Sequence, residues 1–327
     1  MSLPLPAQDL PPRPSSTVLV IGSFIQDLTF FVDRFPANGE TVLGRFVSGP
    51  GGKGSNQAVA AARAGAQTAF FGAVGNDGFG DGAEKFLIEE GIEQHLLRVA
   101  DTPTGTAGIT VNASGQNQIV VALGASGKWK ASEMNPAFLE AAKIVVLQLE
   151  IDLETVRDLL ELGRAAGKTM ILNPAPMNPG MDFSMLSHVD IFIPNETEFV
   201  SVAQRHAAIG DCAFDEQKLR AAAPEQLHTW CRKLEVPTVI VTLGQRGCFV
   251  SQPSGYEHIP ASEGITAIDT TGAGDAFVGG FAAGLIEFSG DISQAARHGN
   301  VVAGLSVTKH GTAPSMPTRA EINAFLS

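Results

Sequence analysis

The sequence predicts an α/β protein with a doubly wound, mostly parallel sheet flanked by helices, and with a small β-sheet lid. From residue 144 onward, short apolar runs alternate with helical patterns, which is typical of parallel strands joined by crossover helices. Residues 18–22 form an apolar run that ends in glycine, as expected of a buried strand that opens a ligand crevice. Two pairs of segments with a period of two indicate further strands exposed on one face.

The α/β body is predicted from the apolar and helical segments, taken in order. Strands are expected at residues 18–22, 69–72, 144–149, 170–173, 191–194 and 239–243. Helices are expected at residues 58–64, 79–90, 153–166, 217–234 and 292–307, with another beginning at Glu196 and a central one whose first turn contains Asp275. These segments assign residues 17–28, 51–104 and 124–327 to the body.

The lid is predicted from the segments that alternate between polar and apolar residues. They are residues 29–32, 41–47, 106–111 and 118–123. Within each pair we expect antiparallel pairing, so residues 29–50 and 105–123 form a four-stranded flap inserted into the body. Such a flap over the strand ends would exclude water from a site.

Composition excludes several classes of function. The 327 residues carry a net charge of −12, which argues against a nucleic-acid partner. No apolar run approaches the ~20 residues of a membrane helix. The first sixteen residues contain five prolines and are expected to be a disordered tail, not a signal peptide. Cys212, Cys231 and Cys248 show no metal-site spacing, so we expect buried small hydrophobic side chains in a reducing compartment, without disulfides or a zinc site.

Residues 269–275 (DTTGAGD) lead directly into the central apolar helix. The Gly272-Ala273-Gly274 backbone would offer N–H donors at a positive helix end, which is an anion site. Asp275 adds a carboxylate in the first turn, so the pair suits phosphoryl transfer to a hydroxyl. The plainer interpretation is an ordinary helix start, with Asp269 or Thr271 as its cap.

Residues 49–54 (GPGGKG) formally match the G-x-G-x-x-G fingerprint of dinucleotide-binding proteins. They follow a lid strand, however, and not the first strand of a βαβ unit. The ATP P-loop pattern fails because Val47 occupies the position of its first glycine. We expect close backbone approach to a small polar ligand, with donors from Lys53 and Asn56, or else a plain glycine-rich turn.

Polar residues follow several predicted strands. Asn195 and Glu198 suit a capping box, a magnesium site, or both. Asn173, Glu150 and residues 242–244 also lie at strand ends. The carboxyl edge of a parallel sheet is where open α/β folds bind ligands.

Several motifs of this chain, in their order and spacing, resemble those of the ribokinase family. They are Gly22-Ser23 with Asp27, Gly51-Gly52-Lys53-Gly54 with Asn56-Gln57-Ala58, Asn173 to Pro176, Asn195 to Glu198, Thr242-Leu243-Gly244, and Asp269 to Asp275. The resemblance covers roughly residues 17–326 and implies a ribokinase-like fold. It also implies a lid that often forms the dimer contact, and transfer of the ATP γ-phosphate to a sugar hydroxyl.

The resemblance also implies roles for individual residues. Asp275 would be the catalytic base, with the Gly272-Ala273-Gly274 backbone as the anion hole. The sugar site would comprise Ile25, Asp27, Gly51, Gly52, Lys53, Asn56, Glu150 and Asp275. The ATP site would comprise Asn195, Thr242, Gly244, Gly274 and Asn300, with Glu198 serving Mg²⁺. A K⁺ site would use Asp269 and Thr271, with backbone or hydroxyl oxygens of Ser306, Lys309, Gly311 and Ser315.

One position departs from the ribokinase pattern. Ribokinases carry asparagine in a Gly-Ser-x-Asn-x-Asp run, whereas this chain has Ile25 there. The departure resembles the related 2-deoxyribose kinases, so we expect a pentose kinase acting on ribose or 2-deoxyribose. The alternatives are an NAD-dependent oxidoreductase using residues 49–54, and a non-catalytic sugar-binding protein on the same fold.

Overall fold

The computed structural model describes residues 17–327, so the predicted tail of residues 1–16 lies outside the described residues. Its strands, in chain order, are β1 (Val18–Ile21), β2 (Ile25–Phe31), β3 (Arg45–Gly51), β4 (Thr68–Gly75), β5 (Glu93–Val99), β6 (Gly105–Val111), β7 (Asn117–Ala122), β8 (Ile144–Leu147), β9 (Thr169–Leu172), β10 (Ile191–Phe192), β11 (Thr238–Thr242), β12 (Cys248–Gln252) and β13 (Gly255–Ile259). Its α-helices are α1 (Lys53–Arg63), α2 (Gly78–Glu89), α3 (Ala137–Ala141), α4 (Leu153–Ala165), α5 (Glu196–Arg205), α6 (Glu216–Ala221), α7 (Pro224–Arg232), α8 (Ala273–Glu287), α9 (Ile292–Ser306) and α10 (Arg319–Leu326).

The main sheet has nine strands in the order β13-β12-β11-β10-β9-β8-β1-β4-β5. Its pairs are parallel from β5 to β11, whereas β12 and β13 are antiparallel. Both faces are covered, because alternate residues of β1 belong to different clusters of buried side chains. Val18 and Val20 belong to the cluster with α1, α8 and α9, and Leu19 and Ile21 to the cluster with α4, α5 and α7. The doubly wound sheet is confirmed, and none of the described helices has the length and hydropathy of a membrane span.

The second, smaller sheet has the order β3-β2-β6-β7. Antiparallel pairing within each predicted pair is confirmed, but the two hairpins join through the parallel pair β2–β6. Strand β2 starts at Ile25, four residues before the predicted start. Strand β3 starts at Arg45 and runs through Pro50 to Gly51, because β2 pairs with this stretch. Proline is tolerated there because β3 is an edge strand.

Other boundaries differ from the prediction for local reasons. Strands β5, β12 and β13 and helices α3 and α10 were not predicted, since their short segments have weak periodicity. The single helix expected at residues 217–234 is two helices, α6 and α7, and Pro224 starts the second. Proline favours the first position of a helix and opposes continuation of the preceding one.

Helix α8 is central because two of its glycines let neighbouring helices approach closely. A Cβ at Gly279 would lie 2.4 Å from the Gln57 carbonyl oxygen and 2.5 Å from the Ala60 Cβ, both on α1. A Cβ at Gly280 would lie 2.6 Å from the Val302 Cβ on α9. Such distances leave no room for a methyl group, so these small residues determine how near α1 and α9 lie.

We therefore expect Gly279→Ala to lower the free energy of unfolding by about 1–3 kcal/mol, the usual cost of overpacking. Gly82→Ala is the matched control, because Gly82 lies in α2 with nothing within 4 Å of its added Cβ. There we expect a gain of about 0.5–1 kcal/mol from reduced chain entropy. Urea unfolding of both variants measures the difference, and equal effects would contradict the close packing of α1 and α8.

Candidate active site

The start of α8 presents backbone donors beside a carboxylate. Gly272 precedes the helix in the left-handed conformation, with φ of 78°, which glycine adopts without strain. We find no protein partner for the N–H of Gly272 or Gly274 among the described residues, whereas the Ala273 N–H donates to the Thr270 carbonyl at 3.2 Å. Two of the three predicted donors are thus free to meet an anion. Asp275 lies in the first helical turn, and only 5% of it is exposed.

Two amides from α1 bind the Asp275 carboxylate. The Asn56 Nδ2 donates to Oδ2 at 3.1 Å, and the Gln57 Nε2 donates to Oδ1 at 2.9 Å. The Asn56 Oδ1 is buried and has no partner among the described residues. It is therefore a free acceptor for a ligand hydroxyl next to Asp275.

The glycine-rich run at the end of β3 brings the start of α1 against β2. A Cβ at Gly51 would lie 2.4 Å from the Asp27 Oδ2, so only glycine leaves room for that carboxylate. Gly52 has φ of 92°, and its Cβ would lie 2.7 Å from the Ile25 nitrogen. The Glu150 Oε2 accepts from the Lys53 N–H at 2.9 Å, so Glu150 anchors the first residue of α1.

The run does not have the geometry of a dinucleotide fingerprint. It ends an edge strand of the small sheet that is antiparallel to β2. A fingerprint needs a turn between a parallel strand and its crossover helix. The oxidoreductase interpretation of residues 49–54 therefore has no structural support.

Ile25 and Asp27 are two residues apart in β2, so their side chains project from the same face of the small sheet. Ile25 is 2% exposed, and its Cδ1 lies against Gly105 of β6, where a Cβ would be 2.5 Å away. Burial raises the pKa of Asp27 to about 6, and the charges of Glu150 and Asp275 act in the same direction. Within residues 17–327, no lysine, arginine or histidine pairs with Asp27, so its carboxylate is ready to accept hydrogen bonds.

A cavity of about 140 Å³ lies in front of α8. Its lining includes Lys53, Asn195, Glu198, Thr242 and the α8 start. The capping box is confirmed: the Asn195 side chain accepts from the Glu198 N–H at 2.8 Å, and the Glu198 Oε2 accepts from the Asn195 N–H at 2.9 Å. The charge of Asp275, opposed by burial, raises the pKa of Lys53, and Glu150 and Glu198 add to the effect.

A second cavity, of about 600 Å³, adjoins the first, and the two share Thr242 and Gly274. It contains the other predicted nucleotide residues, Gly244 and Asn300, and apolar side chains such as Ile265. The Asn300 Nδ2 donates to the Pro260 carbonyl at 3.0 Å, so it fixes the wall of the cavity. A cavity of this size with an apolar lining and few polar groups suits a nucleotide.

The predicted cation loop lies on the other side of the α8 start. Asp269 does not cap the helix, as the plainer interpretation supposed, because its Oδ1 accepts from the Thr271 N–H and its Oδ2 from the Gly311 N–H, both at 3.0 Å. Burial alone would raise the pKa of Asp269, but these hydrogen bonds take it below its usual value. The Lys309 ammonium binds Glu321, so the part of Lys309 that could serve a cation in this loop is its backbone oxygen.

A magnesium ion would fit this site only together with a phosphate ligand. The described residues contain no group of three or more metal-binding His, Cys, Asp or Glu side chains. Glu198 is 8% exposed and lines the small cavity, and burial raises its pKa. Mg²⁺ is commonly held by one or two carboxylates, water and substrate phosphates, so a single buried carboxylate matches that mode.

Sequence reasoning missed three contacts that complete the site. Gln57 binds Asp275, as described above. The Ser23 hydroxyl donates to Glu150 at 2.6 Å. Thr312 lies beside Asp27, with 3.5 Å between the Oγ1 and Oδ2 atoms. For Gln57 a signal existed, because two amides are unusual in a buried, alanine-rich helix, whereas Thr312 becomes a neighbour only through the fold.

The raised pKa of Asp27 predicts a pH-dependent stability. Because the folded-state pKa exceeds the ordinary value of 3.8, the protonated form stabilises the fold below about pH 4, and this contribution is lost as the pH rises through about 6. Asp27→Asn should therefore be more stable than the unmodified protein above pH 6, by at most about 3 kcal/mol.

Urea unfolding between pH 4 and 8 measures this difference, with Asp33→Asn as a control for the loss of one charge at an exposed position. A constant difference across this range would contradict the burial of the Asp27 charge.

Comparison with known proteins places this arrangement in a family. The chain matches the pfkB family carbohydrate kinases over residues 15–319. It is 35% identical over 314 residues to the deoxyribokinase of Salmonella typhi, with 95% of this chain and 98% of that protein covered. It is 37% identical over 321 residues to the ribokinase of Haemophilus influenzae, with 95% and 98% covered.

Solved structures of ribokinases are similar to this chain over nearly its whole length. The ribokinase from Giardia lamblia superposes with a TM-score of 0.85 at 34% identity, covering 95% of this chain and 98% of that one. The Arabidopsis thaliana ribokinase complexed with ribose and ATP superposes with a TM-score of 0.83 at 28% identity, covering 95% and 99%. Since the match spans nearly the whole chain and the relatives exceed 30% identity, the protein belongs to the pfkB family of carbohydrate kinases.

Proposed function

We propose that this carbohydrate kinase transfers the γ-phosphate of ATP to the 5-hydroxyl of a pentose, either ribose or 2-deoxyribose. The observation that carries the proposal is the position of Asp275, a buried carboxylate that lines the smaller cavity directly after Gly274, which lines both cavities. The test is ADP formation on adding ATP and magnesium with a panel of pentoses. Absence of ADP with every pentose would contradict the substrate class.

In the proposed reaction, the sugar lies beneath the small sheet and the nucleotide fills the larger cavity. Asp275 accepts the proton of the attacking hydroxyl, as a general base does. The free N–H groups of Gly272 and Gly274 face the charge that develops on the transferred phosphoryl group. Asp27, the Asn56 Oδ1 and the backbone of Gly51 and Gly52 provide acceptors and space for the other sugar hydroxyls, beside Lys53 and Glu150.

Two cations are part of the proposal. Glu198 and Asn195 would hold Mg²⁺ through water, and the ion would neutralise charge on the phosphates. The K⁺ site comprises Asp269, Thr271, Ser306, Lys309, Gly311 and Ser315. Support comes from the Asp269 carboxylate, which ties the Thr271 and Gly311 backbones together directly behind the anion hole. A cation there would add positive field at the α8 start.

The proposal also treats the small sheet as a lid and as the contact of a homodimer. The sequence placed the lid at residues 29–50 and 105–123, whereas the strands of the small sheet cover residues 25–31, 45–51, 105–111 and 117–122. Among its exposed apolar side chains, Phe30, Phe46 and Val120 lie on one face, and Val47, Ile119 and Val121 on the other. Exposed apolar patches of this kind mark interaction sites, and a second copy of the lid would cover them. Cys231 and Cys248 are buried as expected, whereas Cys212 is exposed, and all three are free thiols, which accords with a cytoplasmic location.

The first functional prediction concerns the base. Asp275→Asn should lower turnover by roughly 10² or more, the usual weight of a general base, with little effect on ATP affinity. Steady-state kinetics measure this, with Asp158→Asn, at a half-buried position on α4, as a control for the substitution itself. Turnover near that of the unmodified protein would remove Asp275 from the mechanism and would favour the non-catalytic sugar-binding alternative.

The second functional prediction concerns the choice of sugar. Where ribokinases carry an amide, Ile25 offers apolar surface on the same face as Asp27. The ribose 2-hydroxyl would lose a partner, at a cost of about 1–3 kcal/mol, or roughly 5- to 150-fold in affinity. Gln26 does not replace the amide, because it projects from the opposite face and donates to the Gly49 carbonyl at 2.8 Å. We therefore expect 2-deoxyribose to compete well with ribose.

The measurement is kcat/KM for both sugars on the unmodified protein, on Ile25→Asn and on the apolar control Ile25→Leu. Only Ile25→Asn should shift the preference toward ribose. A strong ribose preference that neither substitution moves would show that Ile25 packs under the lid without reading the 2-position.

A further inference from the structure

A chain of buried side-chain amides ends at the Asp275 carboxylate. The Gln148 Nε2 donates to the Gln57 Oε1 at 2.6 Å. The Gln57 Nε2 donates at 2.9 Å to the Asp275 Oδ1 and at 3.1 Å to the Asn173 Oδ1. The Asn173 Nδ2 donates in turn to the Ile193 carbonyl at 2.8 Å. Gln57 and Gln148 are 0% and 1% exposed, so no water competes for these bonds.

Each amide in the chain has only one orientation that satisfies its neighbours. The Ile193 carbonyl can only accept, so Asn173 must present its nitrogen there and its oxygen to Gln57. The Gln57 nitrogen must then face Asn173 and Asp275, and its oxygen must face Gln148. The Gln57 N–H therefore always points at the Asp275 Oδ1, and a flipped amide would leave several buried groups unpaired.

We propose that Gln57 is a positioning residue, which holds the Asp275 carboxylate in the orientation that receives the sugar proton. This inference rests on the proposed function, because it assumes that Asp275 is the base. Gln57 donates to one carboxylate oxygen and Asn56 to the other. The two donors come from consecutive residues of α1, so together they fix the plane of the carboxylate.

Gln57 is needed to hold the Asp275 carboxylate in place because the charged groups around Asp275 would draw it to other positions. The Lys53 ammonium faces Asp275 from α1, but the described residues show no ion pair between them within 4 Å. The like charges of Asp27 on β2 and Glu198 on α5 also act on it. Without the Gln57 donor, Asn56 alone would hold the Asp275 carboxylate, through one of its two oxygens.

The decisive variant is Gln57→Met, which keeps the length of the side chain and removes its donor and acceptor. We expect kcat to fall roughly 10- to 100-fold, since misplacement of a reacting group by about 1 Å has effects of this size. The KM for the sugar should change little. The acid limb of the kcat profile should move to higher pH, because the carboxylate loses a hydrogen bond that favours its charged form.

The second variant, Gln57→Glu, is isosteric and places a carboxylate against the Asp275 Oδ1. Two carboxylates at this distance share one proton, so the acid limb should move further upward than in Gln57→Met. The kcat profile at saturating sugar is the right readout, because it reports groups in the substrate complex. The pKa of Asp27, about 6 in the free protein, affects chiefly kcat/KM.

A double variant separates positioning from stability. Gln57→Met leaves the Gln148 Nε2 without a partner and should lower the melting temperature. Gln57→Met/Gln148→Met removes that orphan donor and should restore part of the melting temperature while kcat stays low. Gln226→Met, at an exposed position on α7, is the matched control for the substitution.

Recovery of both kcat and melting temperature in the double variant would overturn the proposal, because it would show a purely structural role. A kcat for Gln57→Met within about twofold of the unmodified protein would overturn it as well. The unmodified protein and Asp275→Asn are assayed alongside. If Asp275→Asn is fully active, the proposed function fails; if it is inactive while Gln57→Met is active, only this inference fails.

Discussion

The close approach of α1 to α8 is the constraint on which the rest of the site depends. Gly279 of α8 leaves no space for a side chain against the Gln57 carbonyl. Because the two helices touch there, their first turns lie side by side, and Asn56 and Gln57 reach the carboxylate of Asp275. Both helices also start at the same edge of the sheet, so their positive N-terminal ends and the buried Asp275 carboxylate lie close together.

The balance of charge at this edge favours a ligand that arrives with cations. The charges of Asp275, Glu150 and Glu198 act on Lys53, the one lysine that lines the small cavity, and Asp27 lies near Glu150 and Asp275. Burial raises the pKa of Asp27 and of Glu198, which shows that their charge is costly where it stands. Under the proposed function, that cost would fall when sugar hydroxyls donate to Asp27 and when a metal nucleotide binds near Glu198. The carboxylates of Asp27 and Glu198, which destabilise the site without a ligand, would therefore favour the site with its ligands bound.

The small sheet connects the sugar side of the site to the outside of the molecule. Strand β2 carries Ile25 and Asp27 near its start and exposed aromatic residues near its end. Strand β3 ends in the glycine run that leads into α1. A movement of the sheet would thus shift Asp27 and the first turn of α1 together, and the first turn of α1 carries the amides that bind Asp275.

Local pattern was sufficient for much of this protein. The strands β1, β8, β9 and β11 and the helices α4 and α9 carry their own apolar periodicity, so the doubly wound sheet and the carboxyl edge where ligands bind could be predicted from the sequence. The residues DTTGAGD could be assigned to a helix start with Asp275 in its first turn, because glycine content and helix polarity act over a few residues.

Contacts between distant segments were decided only by the tertiary structure. The parallel pairing of β2 with β6 joins segments about eighty residues apart, and no local periodicity encodes it. The amide chain from Gln148 through Gln57 to Asp275 spans three elements, and Thr312 meets Asp27 across most of the chain. Hydrogen bonds of this kind depend on angles and distances set by packing, so the sequence determined which groups are present and the fold determined which of them meet.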